Sequence, residues 1–110
     1  MNIMEIDGYK AKIEYDPELD QFRGEILGLN GSADFYGKNP ASLRKEFRNS
    51  LKVFLEVCEE KGINPIRKYS GKFNLRIPPK LHSKIAAQAT AQDKSLNQFV
   101  SEILEQSVSD

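Results

Sequence analysis

The chain has one cysteine and one histidine in 110 residues, no excess of either charge and no long hydrophobic run, and each shortage removes a class of function. A lone Cys58 can form no disulfide within the chain; on a helical apolar face it reads as a buried structural thiol suited to a reducing compartment. His82 has no nucleophile or carboxylate at a telling spacing, so a surface or dimer-interface role is expected of it rather than catalysis. The longest apolar stretches fall well short of the roughly 20 residues that cross a bilayer. The opening Met-Asn-Ile-Met-Glu-Ile-Asp carries neither a basic segment nor an apolar signal core, so a cytoplasmic protein without membrane contact is expected. Sixteen basic residues balance sixteen acidic ones, which argues against a general nucleic-acid coat protein.

The balance is uneven along the chain. Residues 1–34 hold eight acids against three bases, a net charge of −5, whereas residues 67–84 hold six bases and no acid. An acidic front and a basic patch suggest two surfaces for two different partners. The 39% hydrophobic and 29% charged shares are those of a soluble globular protein, and the length suits one ordinary domain or two small ones.

Strict alternation over Tyr9–Tyr15 predicts a half-buried strand, and Asp16-Pro17-Glu18-Leu19-Asp20 supplies the turn after it. Phe22–Leu27 and Ala33–Gly37 predict two more strands, with Gly28, Asn30 and Gly31 punctuating the turn between them, so the opening reads as an antiparallel meander. Asn39-Pro40 is a strong helix start, and Leu43, Phe47, Leu51, Phe54, Leu55 and Cys58 follow at helical spacing until Gly62, where a left-handed cap is expected. One face of this helix should pack on the sheet. Asn64 to Gly71 breaks periodicity, with a short edge strand around Ile66, and residues 67–71 are expected to link two domains, 1–66 and 72–110.

The second domain opens on Lys72-Phe73-Asn74-Leu75-Arg76-Ile77, polar and apolar in strict alternation, ended by Pro78-Pro79. As a strand it would set Phe73, Leu75 and Ile77 on one face and Lys72, Asn74 and Arg76 on the other. Lys and Arg suit guanine edges or phosphates and Asn suits adenine, so the polar face is a candidate reader of DNA. A helix with Leu81, Ile85 and Ala89 on one side runs to about Gln92, Asp93-Lys94 turns the chain, and Ser95 to Gln98 matches a capping box. Leu96, Phe99, Val100, Ile103, Leu104 and Ser107 then trace an apolar stripe. About 39 residues seldom fold alone, and one short strand has no partner in its own domain. Two chains pairing their strands antiparallel would remove both problems. An obligate homodimer through residues 72–108 is expected, its core drawn from Phe73, Leu75, Ile77, Leu81, Ile85, Leu96, Phe99, Val100 and Ile103. A two-stranded ribbon of this kind fits the major groove.

The segment KFNLRIPPKLHSKIAAQATAQDKSLNQFVSEIL resembles ribbon-helix-helix repressor domains of the Arc type. That resemblance implies base contacts by Lys72, Asn74 and Arg76, and a DNA phosphate gripped by the backbone around Ser95, Leu96 and Asn97. A helix N-terminus offers free amides and a favourable dipole for such an anion. Phe99 stands among positions where the Arc type has a buried charged network, so a more apolar core is expected. The whole chain is similar to HicB antitoxins with a ribbon-helix-helix tail, through Tyr9–Tyr15, the Phe22-Arg23-Gly24-Glu25-Ile26 strand with Gly28-Leu29, Phe47-Arg48-Asn49-Ser50, Glu59-Glu60-Lys61-Gly62, the Ser70 to Arg76 run and Lys94-Ser95-Leu96-Asn97-Gln98. This resemblance implies an α+β fold: a small antiparallel sheet with one packed helix, likened to a partial RNase H fold, followed by a dimeric ribbon-helix-helix domain. It further implies a type II antitoxin that neutralises a small, basic, RNA-cleaving HicA-like toxin and represses its own operon by binding operator DNA.

Two other readings stay open: a stand-alone ribbon-helix-helix regulator without a toxin, and a vestigial RNase H-type nuclease. Whether dimers join into tetramers through their N-terminal domains is open too. Asp16, Glu18 and Asp20 lack the glycine and distal Glu of a calcium loop and read as a solvated hairpin turn. No catalytic residue, metal site or cofactor is expected.

Overall fold

A computed structural model describes residues 2–109 and divides them into two compact units that meet between Ser70 and Gly71. The first unit holds four strands, β1 (Ile3–Ile6), β2 (Tyr9–Asp16), β3 (Gln21–Ile26) and β4 (Asp34–Gly37), then the helix α1 (Pro40–Lys61). The second holds α2 (Pro79–Ala91) and α3 (Leu96–Val108).

The sheet is an antiparallel meander in the order β1-β2-β3-β4, one strand more than the alternation of hydrophobic residues suggests. The added strand is β1, and Asp7-Gly8 makes its hairpin: both residues have positive φ, +52° and +83°, as the two central positions of a type I′ turn require. Asp-Gly between apolar runs was the available signal for it. At the next hairpin the Asp16 carboxylate accepts from the amide of Glu18 at 3.0 Å, and the Tyr15 hydroxyl donates to Asp20 at 2.7 Å. That bond holds the Tyr15 phenol above its ordinary pKa. The three acids thus lie in and beside the turn that joins β2 to β3.

Register decides which side chains meet the helix. Met4 pairs with Ala11, Ala11 with Ile26, and Gly24 with Phe35, so these residues share one face and α1 covers it. Phe35 and Phe47 stack with centroids 5.0 Å apart, inside a core completed by Ile6, Leu29, Leu43 and Leu51. Gly24 is dictated by that packing: a Cβ there would stand 2.1 Å from the Phe35 ring. Gly37 makes a second close approach, where a Cβ would come within 2.8 Å of the Leu43 backbone nitrogen and would force the start of α1 away from β4.

The helix ends as the sequence predicts. The Asn39 side chain accepts from the amide of Ser42 at 2.8 Å while the Ser42 hydroxyl accepts from the amide of Asn39 at 3.1 Å, a reciprocal capping box ahead of Pro40. Gly62 takes the left-handed conformation and donates to the Glu59 carbonyl, while Ile63 donates to that of Cys58. Cys58 is buried. Beyond the helix, Ile66 bridges Leu29 and the Arg67 amide donates to the Gly28 carbonyl at 3.0 Å, so the expected linker begins with a residue tied to the sheet.

In the second unit, α2 closes on Asp93 at φ +55°, with Lys94 donating to Ala89 and Asp93 to Thr90. The Ser95 side chain caps α3 by accepting from the Gln98 amide at 3.0 Å, which is the serine half of the expected box. Residues 72–78 form no strand in the single chain. A strand exists through hydrogen bonds to a neighbour, and within this unit there is none to pair with.

Candidate nucleic-acid and partner interfaces

Lys72, Asn74 and Arg76 are all exposed, and so are Phe73 and Leu75, at 75% and 63%. The segment runs beside α3, where Lys72, Phe73, Asn74 and Leu75 line one side of a groove of about 450 Å³ and Asn97, Val100, Ser101 and Leu104 line the other. Of the residues expected to form a dimer core, Phe99 is buried within one chain, Ile77, Ile85 and Val100 are half-buried, and Phe73, Leu75, Leu81, Leu96 and Ile103 are exposed. The apolar stripe of α3 is therefore only partly covered by α2. Fully burying a side chain of this size contributes roughly 1.5–3 kcal/mol, so five left in water are a large unused driving force for a 40-residue unit.

At the start of α3 the capping pattern sorts the free amides. Ser95 satisfies Gln98, and Phe99 donates to the Ser95 carbonyl, so Leu96 and Asn97 are the first-turn amides for which the helix itself supplies no carbonyl. No acid stands in that turn to compete with an anion. Lys94 spans back to Glu102 in an ion pair that ties the turn to the helix body. His82 is exposed on α2.

A second surface lies on the first unit, where β4 and α1 border a groove of about 700 Å³ lined by Tyr36, Val53, Phe54 and Val57 with Asp34, Glu46, Asn49 and Ser50. Val53 is 59% exposed. Asp34 is held by Arg23, whose guanidinium is pushed further up by that hydrogen bond and charge. The Ser50 hydroxyl donates to the Asp34 carbonyl at 3.2 Å and fixes α1 against the strand. The composition of this groove went unread in the sequence because the helix was read for its core face alone. Glu46, Asn49, Val53 and Val57 recur at the same three-to-four spacing and could have marked a second face.

Among the described residues no group of three or more His, Cys, Asp or Glu could hold a metal ion, and no helix is long and apolar enough to cross a membrane. Residues 54–104 match the model of the HicB family. The match covers just under half of the chain, from the last turns of α1 through α2 and most of α3, and it supports membership of that family, which is associated with antitoxins of toxin-antitoxin systems and is generally non-enzymatic. No curated protein and no solved structure matches the chain.

Proposed function

We propose that this protein is a dimeric antitoxin that also represses its own operon. The observation that carries the reading is the exposed Phe73 and Leu75 beside the polar Lys72, Asn74 and Arg76. Pairing this segment with its copy in a second chain buries the apolar face and presents two sets of the polar triad to the major groove. The free amides of Leu96 and Asn97 then take a phosphate on each side of the ribbon, fixing register without reading sequence. The first unit serves the toxin: its β4–α1 groove combines an apolar floor with Glu46, which has no ion-pair partner among the described residues, and with Asp34, already paired to Arg23, a lining that suits a small basic protein.

Gel-shift titration with the DNA upstream of the gene tests the repressor half. Arg76→Ala should weaken specific binding by on the order of 1 to 3 kcal/mol and leave the dimer intact. A loss of dimer in that variant would place Arg76 on the apolar side and remove the assignment. Co-purification from the native host tests the antitoxin half, since failure to recover a small basic partner would favour a stand-alone ribbon-helix-helix regulator.

A further inference from the structure

Helix α1 carries a row of cations away from its buried face. Arg44, Lys45, Arg48 and Lys52 are exposed and fall within roughly 100° of arc at 3.6 residues per turn, a stripe about 12 Å long on a rigid element. Among the described residues no ion pair involves any of the four. From Lys38 to Leu55 the only acid is Glu46, and it faces the β4 groove on the other flank of the helix. Arg48 and Lys52 lie on the opposite flank, beside Ile6 and Asp7 at the end of β1, and the stripe ends one turn further on, where Glu56 and Glu59 line the same hollow.

Helix stability does not account for this placement. The first turn of α1 holds no acid, and the last turn holds Glu59 and Glu60 against the single base Lys61, so the macrodipole does not call for cations near the start of the helix. Four neighbouring like charges also repel one another, and each such pair costs a helix a few tenths of a kcal/mol.

We infer that this stripe is a second nucleic-acid contact, binding the phosphodiester backbone without reading sequence. A polyanion rather than an acidic protein fits because the stripe offers no large exposed apolar side chain. Protein interfaces are built around an apolar centre, whereas nucleic-acid interfaces are polar and strongly positive. The exposed valines of α1, Val53 and Val57, belong to the other flank. Chain-wide neutrality had hidden the stripe, because the acids of the hairpins and of the last turns of α1 cancel it in any sum.

The test uses the full chain and its R44Q/K45Q/R48Q/K52Q variant, titrated by fluorescence anisotropy against a DNA duplex of arbitrary sequence and an RNA duplex of the same length, over a salt series. Each lost phosphate contact should flatten the plot of log affinity against log salt by about 0.9. We expect the slope to fall by about 2 to 4 and low-salt affinity to fall more than ten-fold, while R44K/R48K keeps the wild-type slope. Loss on both duplexes supports a general backbone contact; loss on one supports the contact and identifies its source. An unchanged slope on both, in a variant whose far-ultraviolet spectrum and melting match wild type, overturns the inference and leaves the stripe to an acidic protein or to solvent. Arg76→Ala separates the two DNA surfaces, since it should remove preference for the operator and change the slope by no more than about one. If Arg76→Ala changes nothing while the quadruple variant loses binding, the ribbon proposal fails and this one stands.

Discussion

The two units spend their hydrophobic residues differently. In the first, a sheet face and a 22-residue helix close over Phe35, Phe47, Leu29 and their neighbours, and the largest side chains there reach full burial within one chain. In the second, only Ala89 and Phe99 among the described residues, 2% and 5% exposed, are buried, while Phe73, Leu75, Leu81, Leu96 and Ile103 stay in water. Two helices and an extended segment cannot surround a core, and the proposed second chain would cover the apolar surface they leave exposed. One unit closes its core within a single chain and the other does not.

The largest expected effects break that contrast directly. Phe47→Ala should destabilise the first unit by roughly 3 to 5 kcal/mol, and Phe99→Ala should destabilise the dimer by a similar roughly 3 to 5 kcal/mol. Thermal melts over a range of protein concentration tell them apart: the Phe47 loss should be independent of concentration and the Phe99 loss should vary with it. Equal, concentration-independent losses would show that the second unit is complete by itself. Gly24→Ala should come next, at about 1 to 3 kcal/mol, since the new methyl must displace the Phe35 ring. Adding Phe35→Leu should recover part of that loss in urea melts. The smallest effects belong to the caps: Asn39→Ala and Ser95→Ala should each cost about 1 kcal/mol in the unit concerned. Ser95→Ala should in addition weaken DNA binding, which sharpens the contrast between a purely structural cap and one beside a ligand.

Local chemistry explains how much of this was legible. The caps at Asn39, Gly62 and Ser95, the helix bounds and three of the four strands follow from side chains acting within a few residues of themselves. The strand β1 was missed because four residues carry too little periodicity, although Asp7-Gly8 marked its turn. The expected strand over residues 72–78 does not form in the single chain, because a strand is defined by a ladder to a second strand and the second unit holds only helices beside it. Its alternation was legible all the same, because which side chains share a face depends on the backbone alone. The β4–α1 groove and the basic stripe escaped a reading of α1 that asked only which residues face the core. A helix has two flanks beside its buried face, and here one is apolar with acids while the other is basic from Arg44 to Lys52 and acidic beyond.

Sedimentation equilibrium of the full chain beside Leu75→Asp decides whether the exposed apolar face is an interface. The wild-type chain should sediment at twice its 12.5 kDa mass, and Leu75→Asp, which places a charge on the face opposite Asn74, should fall to a single 12.5 kDa chain while its far-ultraviolet spectrum stays unchanged. A wild-type chain that sediments at 12.5 kDa at micromolar concentration, or a Leu75→Asp chain that remains a dimer, would contradict the paired ribbon on which the DNA site depends.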